Sequence, residues 1–238
     1  MKNQILKVLF GAAMTVTLCA AQSTPAHAEE ALTPPATTEK TVALFHLDEK
    51  NGDEIFDGIS QKTAGSRGAA QWSPEGGLFG GALELRARTE ATTILPELKL
   101  DAAVAPSSNF SIDFRFKARD AELLKRDFYL LSSSNLYFRY TAKYEALVFG
   151  VQSPTGWIEC AVDKKLFALA PQTWTQIAGS YDGKEVALTI NGKRLASGAG
   201  DGGAVVWSTL VLGGVGWDTK YIATDFDGLI DEIRVEKL

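Results

Sequence analysis

Apolar and polar residues alternate with a period of two along much of this chain. Phe110, Ile112, Phe114 and Phe116 are separated by Ser111, Asp113 and Arg115, the pattern of a strand with one buried face. Val186, Leu188 and Ile190 repeat it. Leu136, Phe138 and Tyr140 oppose Tyr137 and Arg139, and Leu147 and Phe149 belong to the next strand, after a turn near Ala142 to Glu145. Helical periodicity is confined to one turn from Asp120 to Arg126, which Asp120 can cap. The 22 glycines fall at the spacing of a meander or Greek-key sandwich, so the pattern predicts two packed antiparallel sheets. Asp182-Gly183 and Asn191-Gly192 read as hairpin turns. On the closing strand Ile230 and Ile233 are three apart; both point inward only if Asp231-Glu232 absorbs an extra residue, which predicts a β-bulge.

The ends of the chain read differently. Lys2 and Lys7, an apolar run from Val8 to Ala21, and Ala26-His27-Ala28 form the three parts of an export signal, predicting cleavage that leaves Glu29 first. The apolar run is too short to span a bilayer, so no integral membrane span is expected. A lipoprotein anchored through Cys19 is the rival, disfavoured because Leu18 stands where a small residue is needed. Pro34-Pro35 and Thr37-Thr38 mark residues 29–40 as an extended, disordered lead-in to a single domain over 41–238. The predicted location is secreted or periplasmic.

Charge and cysteine content narrow the partners. The chain carries 24 basic against 29 acidic side chains, a formal charge of −5, and leader removal takes Lys2 and Lys7 with it. Nucleic acid, which needs basic patches, is excluded as a partner. Without the leader Cys160 is alone, so no intrachain disulfide can form and stability must come from the core. Its alternation with Ile158 and Val162 reads as a buried apolar thiol.

The ordered motifs resemble a known family. Trp174-Thr175-Gln176-Ile177-Ala178, Tyr181-Asp182-Gly183, Asn191-Gly192 and Phe226-Asp227-Gly228-Leu229-Ile230-Asp231-Glu232 follow one another as in the laminin-G-like jelly rolls of the concanavalin A-like lectin and glucanase superfamily. Upstream, Val42 to Glu49, Gly76-Gly77-Leu78-Phe79-Gly80-Gly81-Ala82-Leu83 and Asn109 to Phe116 are similar to that family's first strand, glycine signature and Phe-Thr-Ile-Glu strand. The resemblance implies an all-β, two-sheet antiparallel jelly-roll sandwich. It places Trp174 in the core.

Three chemistries are open to such a scaffold. Retaining glycoside hydrolysis needs two carboxylates about 5 Å apart; the laminarinase-like Glu-x-Asp-x-x-Glu run is absent, and Asp231-Glu232-Ile233-Arg234-Val235-Glu236 has its acids in another order. His46, the one histidine after the leader, is too few for a multi-histidine metal site. The resemblance further implies one structural Ca²⁺, held by Asp231 with Asp48 or a nearby carbonyl; otherwise Asp231 accepts from its own bulged backbone. Sugar recognition calls for exposed aromatic faces beside polar groups. Trp157, after Pro154-Thr155-Gly156, and Trp217 with Asp218, Lys220 and Tyr221 after Gly213-Gly214 are the candidates, a hydrophobic lid over the sandwich edge being the alternative for the second segment. Trp207, beside Val205-Val206, is expected to pack. The sequence thus points to a non-catalytic carbohydrate- or glycoprotein-binding module. A structural or protein-interaction domain of a cell-surface assembly is the alternative, and a glycoside hydrolase the third.

Overall fold

The computed structural model describes residues 33–90, 92–101, 103, 105, 108–215 and 223–238, together with the backbone of 6–10 and 12–16. Two antiparallel sheets face each other. In spatial order the first runs Lys193–Ala199, Glu185–Ile190, Trp174–Tyr181, Phe110–Ala118, Gly228–Lys237, Ala82–Leu85 and Gln71–Ser73, with Thr41–Phe45 pairing the far half of Gly228–Lys237. The second runs Gly156–Asp163, Ala146–Ser153, Leu136–Thr141, Phe128–Ser132, Thr209–Leu212, Glu97–Lys99, Lys62–Ser66 and Glu54–Asp57. This is the expected jelly-roll sandwich.

Alternation decides which side chains meet between the sheets. Phe110, Ile112, Phe114 and Phe116 are all fully buried, and the Phe114 ring meets Phe138 of the opposite sheet edge-on at 5.1 Å. Phe226 bridges Phe116 at 6.1 Å and Phe128 at 5.5 Å, and Trp207 packs at 5.4 Å from Phe110. Cys160 lies in this core, where burial pushes its thiol up to about 12 and leaves it unreactive.

Local chemistry sets the turns. Asn191 and Gly192 both have positive φ, 48° and 74°, as a two-residue hairpin with the twist of its flanking strands requires. Asp182 accepts from the N–H groups of Lys184 and Glu185 at 2.9 and 2.8 Å, closing its own turn. Asp120 accepts from the N–H groups of Glu122 and Leu123 and so closes a local turn leading into the 3-10 turn Leu123–Lys125, whose N-cap is Glu122. The bulge is present: register slips between Asp231 and Arg234, Glu232 takes φ of 53°, and Ile230 and Ile233 are both fully buried.

One core expectation fails. Trp174 is only partly buried, on the outward side of its strand, where the Lys117 ammonium lies 4.9 Å above its ring. It alternates with Thr175 and Ile177, and those two take the inward positions.

The lead-in from Thr33 is extended and is tied down. Arg115 donates to the Thr33 carbonyl at 3.0 Å, Arg234 to the Ala36 carbonyl at 2.8 Å, and Thr38 to Glu236 at 3.0 Å. One donor of each arginine thereby finds a backbone acceptor in the lead-in. The Lys237 N–H donates to the Lys40 carbonyl at 2.9 Å, so the chain enters and leaves the sandwich at one place. Leu6–Phe10 and Ala12–Val16 pair antiparallel as a separate ladder, and the backbone of the latter lies near the Gly156–Asp163 strand. Among the described residues no helix is long and apolar enough to cross a membrane.

Candidate functional site

The outward side of the second sheet carries an apolar cluster separate from the core. Because Leu136, Phe138 and Tyr140 point inward, Tyr137 and Arg139 must point out; by the same parity Val148 and Gly150 face out from the next strand, and Trp157, Glu159 and Ala161 from the edge strand. The hairpin registers align them. Tyr137 opposes Gly150, which opposes Glu159; Arg139 opposes Val148, which opposes Ala161. Tyr129 joins from the far side, opposite Arg139.

Gly150 makes the arrangement possible. A Cβ there would stand 2.7 Å from Tyr137 Cζ, so the missing side chain lets the tyrosine ring lie across the middle strand. Its centroid is then 4.8 Å from Trp157 and 5.8 Å from Tyr129. The Arg139 guanidinium sits 5.2 Å from the Tyr137 centroid, a cation held over a π face.

Glu159 stands among these rings. Its side chain is 3% exposed, and Arg139 Nη2 is 3.7 Å from Oε1, beyond hydrogen-bonding reach. That oxygen has no hydrogen-bond partner among the described residues. Burial pushes the carboxyl up to about 7, because water is excluded and nothing replaces it. An unsatisfied acceptor beside the buried Tyr137 ring and the partly exposed Trp157 and Tyr129 rings suits a ligand that brings its own hydroxyl donors.

A second polar cluster gathers at the bulge. The loop Gly76 to Gly81 donates Leu78 N–H to Asp231 Oδ2 at 2.9 Å and Gly81 N–H to Asp48 Oδ1 at 2.6 Å. Its glycines are required by close approach: a Cβ on Gly80 would lie 2.6 Å from Asp48 Oδ1, and one on Gly77 1.7 Å from the Gly81 carbonyl oxygen. Burial pushes the Asp231 carboxyl up to about 7 against the Leu78 N–H, with Glu232 and Asp48 adding to the rise. Glu232 is also raised by burial, opposed by His46, whose Nδ1 is 2.9 Å from Oε2. Asp231 Oδ1 is buried without a hydrogen-bond partner among the described residues, the kind of hard oxygen a cation would use. Among the described residues no group of three or more His, Cys, Asp or Glu side chains is arranged to hold a metal.

The predicted site residues divide accordingly. Trp157 lies in the aromatic cluster, and Asp48 and Asp231 share the bulge loop. Trp217, Asp218, Lys220 and Tyr221 lie outside the described residues. The described neighbours of that segment border the strand of Tyr129: Ser132 donates to the Gly214 carbonyl at 2.6 Å, and Asp225 bridges to Tyr129. Tyr129, Tyr137, Arg139 and Glu159 were missed as a group. Alternation placed Tyr137 and Arg139 outward; what was lacking was the register that brings Glu159 and Trp157 beside them.

Residues 96–237 match the model of the Concanavalin A-like lectin/glucanases superfamily. The chain belongs to that superfamily. No curated protein matches it. Among solved structures it is similar to domain 4 of AbnA, a GH43 extracellular arabinanase from Geobacillus stearothermophilus in complex with arabinotriose, at 19% identity and TM-score 0.57, covering 83% of this chain and 92% of that one. It is also similar to botulinum neurotoxin type C, described as entering cells through two ganglioside molecules, at 14% identity and TM-score 0.61, covering 84% of this chain. The binding domain of botulinum neurotoxin DC in complex with rat synaptotagmin II follows at 15% identity, TM-score 0.61 and 84% coverage. This chain spans 49% of each of those two toxin chains. At such identities the likeness is one of fold.

Proposed function

We propose that this member of the superfamily is a secreted or periplasmic, non-catalytic carbohydrate- or glycoprotein-binding module that takes its ligand on the outward face of the second sheet. The observation that carries the reading is the Tyr137 and Trp157 pair, tilted at 43° with centroids 4.8 Å apart, with Glu159 and Arg139 beside it, rings for sugar C–H surfaces next to an acceptor and a donor. Domain 4 of AbnA, solved with arabinotriose, shows that a domain of this fold can hold an oligosaccharide. Glu159 is the one carboxylate among the described residues of the cluster, whereas retaining hydrolysis needs two at about 5 Å. Export would remove residues 1–28, and with them the ladder whose backbone lies near the Gly156–Asp163 strand. The toxin domain bound to synaptotagmin II supports the second reading, a protein partner.

A glycan array probed with the exported protein tests this. Trp157→Ala and Tyr137→Ala should each weaken retention by about 2 kcal/mol, the cost common for a central aromatic contact. Binding to a protein ligand with no glycan retained would transfer the site to the second reading.

We also propose one structural Ca²⁺ at the bulge, held by Asp231 Oδ1 and the Asp48 carboxylate, where it would supply charge to two mutually repelling acids. Added Ca²⁺ should raise the melting temperature and chelator should lower it, the rise growing with the logarithm of free Ca²⁺ above the dissociation constant. Asp231→Asn should abolish the response. A wild-type melt indifferent to both additions removes the ion from the site.

A further inference from the structure

We infer that Glu159 sets the specificity of the aromatic face, selecting neutral sugars that donate hydroxyls and rejecting anionic glycans; this rests on the binding reading above. The two glycan ligands named for its structural neighbours differ in this respect. Arabinotriose is uncharged, whereas gangliosides carry sialic acid carboxylates. The local chemistry here favours the uncharged kind.

Three observations combine. First, Glu159 is placed by register: it faces out opposite Gly150, which has no side chain to cover it, and its row continues to Tyr137. A sugar ring resting on Tyr137 and Trp157 would therefore hold a hydroxyl near the carboxylate. Second, Oε1 has no hydrogen-bond partner among the described residues, so an arriving hydroxyl supplies a bond that they leave unmade. Its burial is that of the full chain, with the ladder of Leu6–Phe10 and Ala12–Val16 near its strand, and removal of that ladder on export opens the carboxylate to the hydroxyl. Third, the cation of the cluster is already flanked by an anion. Arg139 lies 3.7 Å from Glu159 and over the Tyr137 ring, so once Glu159 is ionised, above about pH 7, an incoming carboxylate would meet a guanidinium shared with a neighbouring negative charge. A neutral polyol meets neither penalty, since one hydroxyl can donate to Glu159 while its neighbour accepts from Arg139. The net negative charge, which loss of Lys2 and Lys7 with the leader makes larger, adds a longer-range term of the same sign.

The test uses immobilised probes paired by charge: arabinotriose and lactose as neutral members, sialyllactose and trigalacturonate as anionic ones. The exported wild-type protein should retain a neutral probe at least about tenfold more tightly than the anionic probes, and Glu159→Gln should weaken that retention by about tenfold or more, the loss of one charge-assisted bond. Gln keeps the volume, and a melting curve near wild type shows that the fold is kept. Should the variant not fold, the wild-type preference between the paired probes still decides. Preferred retention of the anionic probes, lost in Tyr137→Ala, would leave the binding face standing and overturn the role of Glu159. Glu159→Gln retaining the neutral probes as well as wild type would overturn it too. If the wild type retains no probe of either charge, the binding reading itself falls and Glu159 has nothing to select.

Discussion

Asp225→Ala should cost about 3–5 kcal/mol of folding stability, the penalty for stranding one member of a buried ion pair. Asp225 is 0% exposed and the Arg88 side chain 5%. The pair is bidentate, Arg88 Nε reaching Oδ2 at 2.6 Å and Nη2 reaching Oδ1 at 2.9 Å, while the Arg88 backbone N–H adds a third bond to Oδ2 at 3.0 Å. Removing the acid leaves a buried guanidinium whose remaining acceptor among the described residues is the Val215 carbonyl, 3.3 Å away. Urea unfolding of the single variant and of Arg88→Met with Asp225→Leu separates the explanations. The double variant should recover most of the loss, because two apolar groups leave no charge behind. A single variant within 1 kcal/mol of wild type would show that the guanidinium finds water or another acceptor.

Phe114→Ala should be comparably damaging, at about 3–5 kcal/mol, whereas Trp174→Ala should cost about 1 kcal/mol or less. The contrast follows from position. Phe114 is fully buried and meets Phe138 from the opposite sheet and Phe116 from its own strand, so truncation opens a cavity between two layers that cannot collapse independently. Trp174 rests on the outside of the same sheet under Lys117, and its loss leaves a surface that solvent fills. Denaturant midpoints of the two variants, at unchanged slope, give the comparison. Equal losses would mean that Trp174 supports the lead-in or another buried contact.

The sandwich was legible because each of its determinants is local. Strand parity from Phe110 to Phe116, the Asn191-Gly192 turn and the spacing of Ile230 and Ile233 each follow from a few adjacent residues. The core position of Trp174 is what the resemblance implies, whereas the alternation of its own strand buries Thr175 and Ile177 and turns Trp174 outward. Arg88 and Asp225 are 137 residues apart and belong to no periodic pattern, so nothing in the chain announces their pairing. The candidate site was half readable for a related reason. Trp157 stood out after a glycine turn, but Glu159 acquires its character from Gly150 and Tyr137 on two neighbouring strands, an effect of register. The glycine signature from Gly76 to Gly81 was noticed as a resemblance, and its cause is steric, the close passage of that loop past Asp48.

The hydrogen bond between Lys237 and Lys40 brings the two ends of the folded body within one backbone contact of each other. A unit closed in this way behaves as a cassette. Spliced into an exposed loop of a host protein, it would need only short connectors and would force the host's cut ends little further apart than a turn already holds them. The same closure permits circular permutants, in which the old ends are joined and new ones opened at an exposed turn such as Asp182-Gly183, so the aromatic face can be displayed at a chosen angle to whatever carries it.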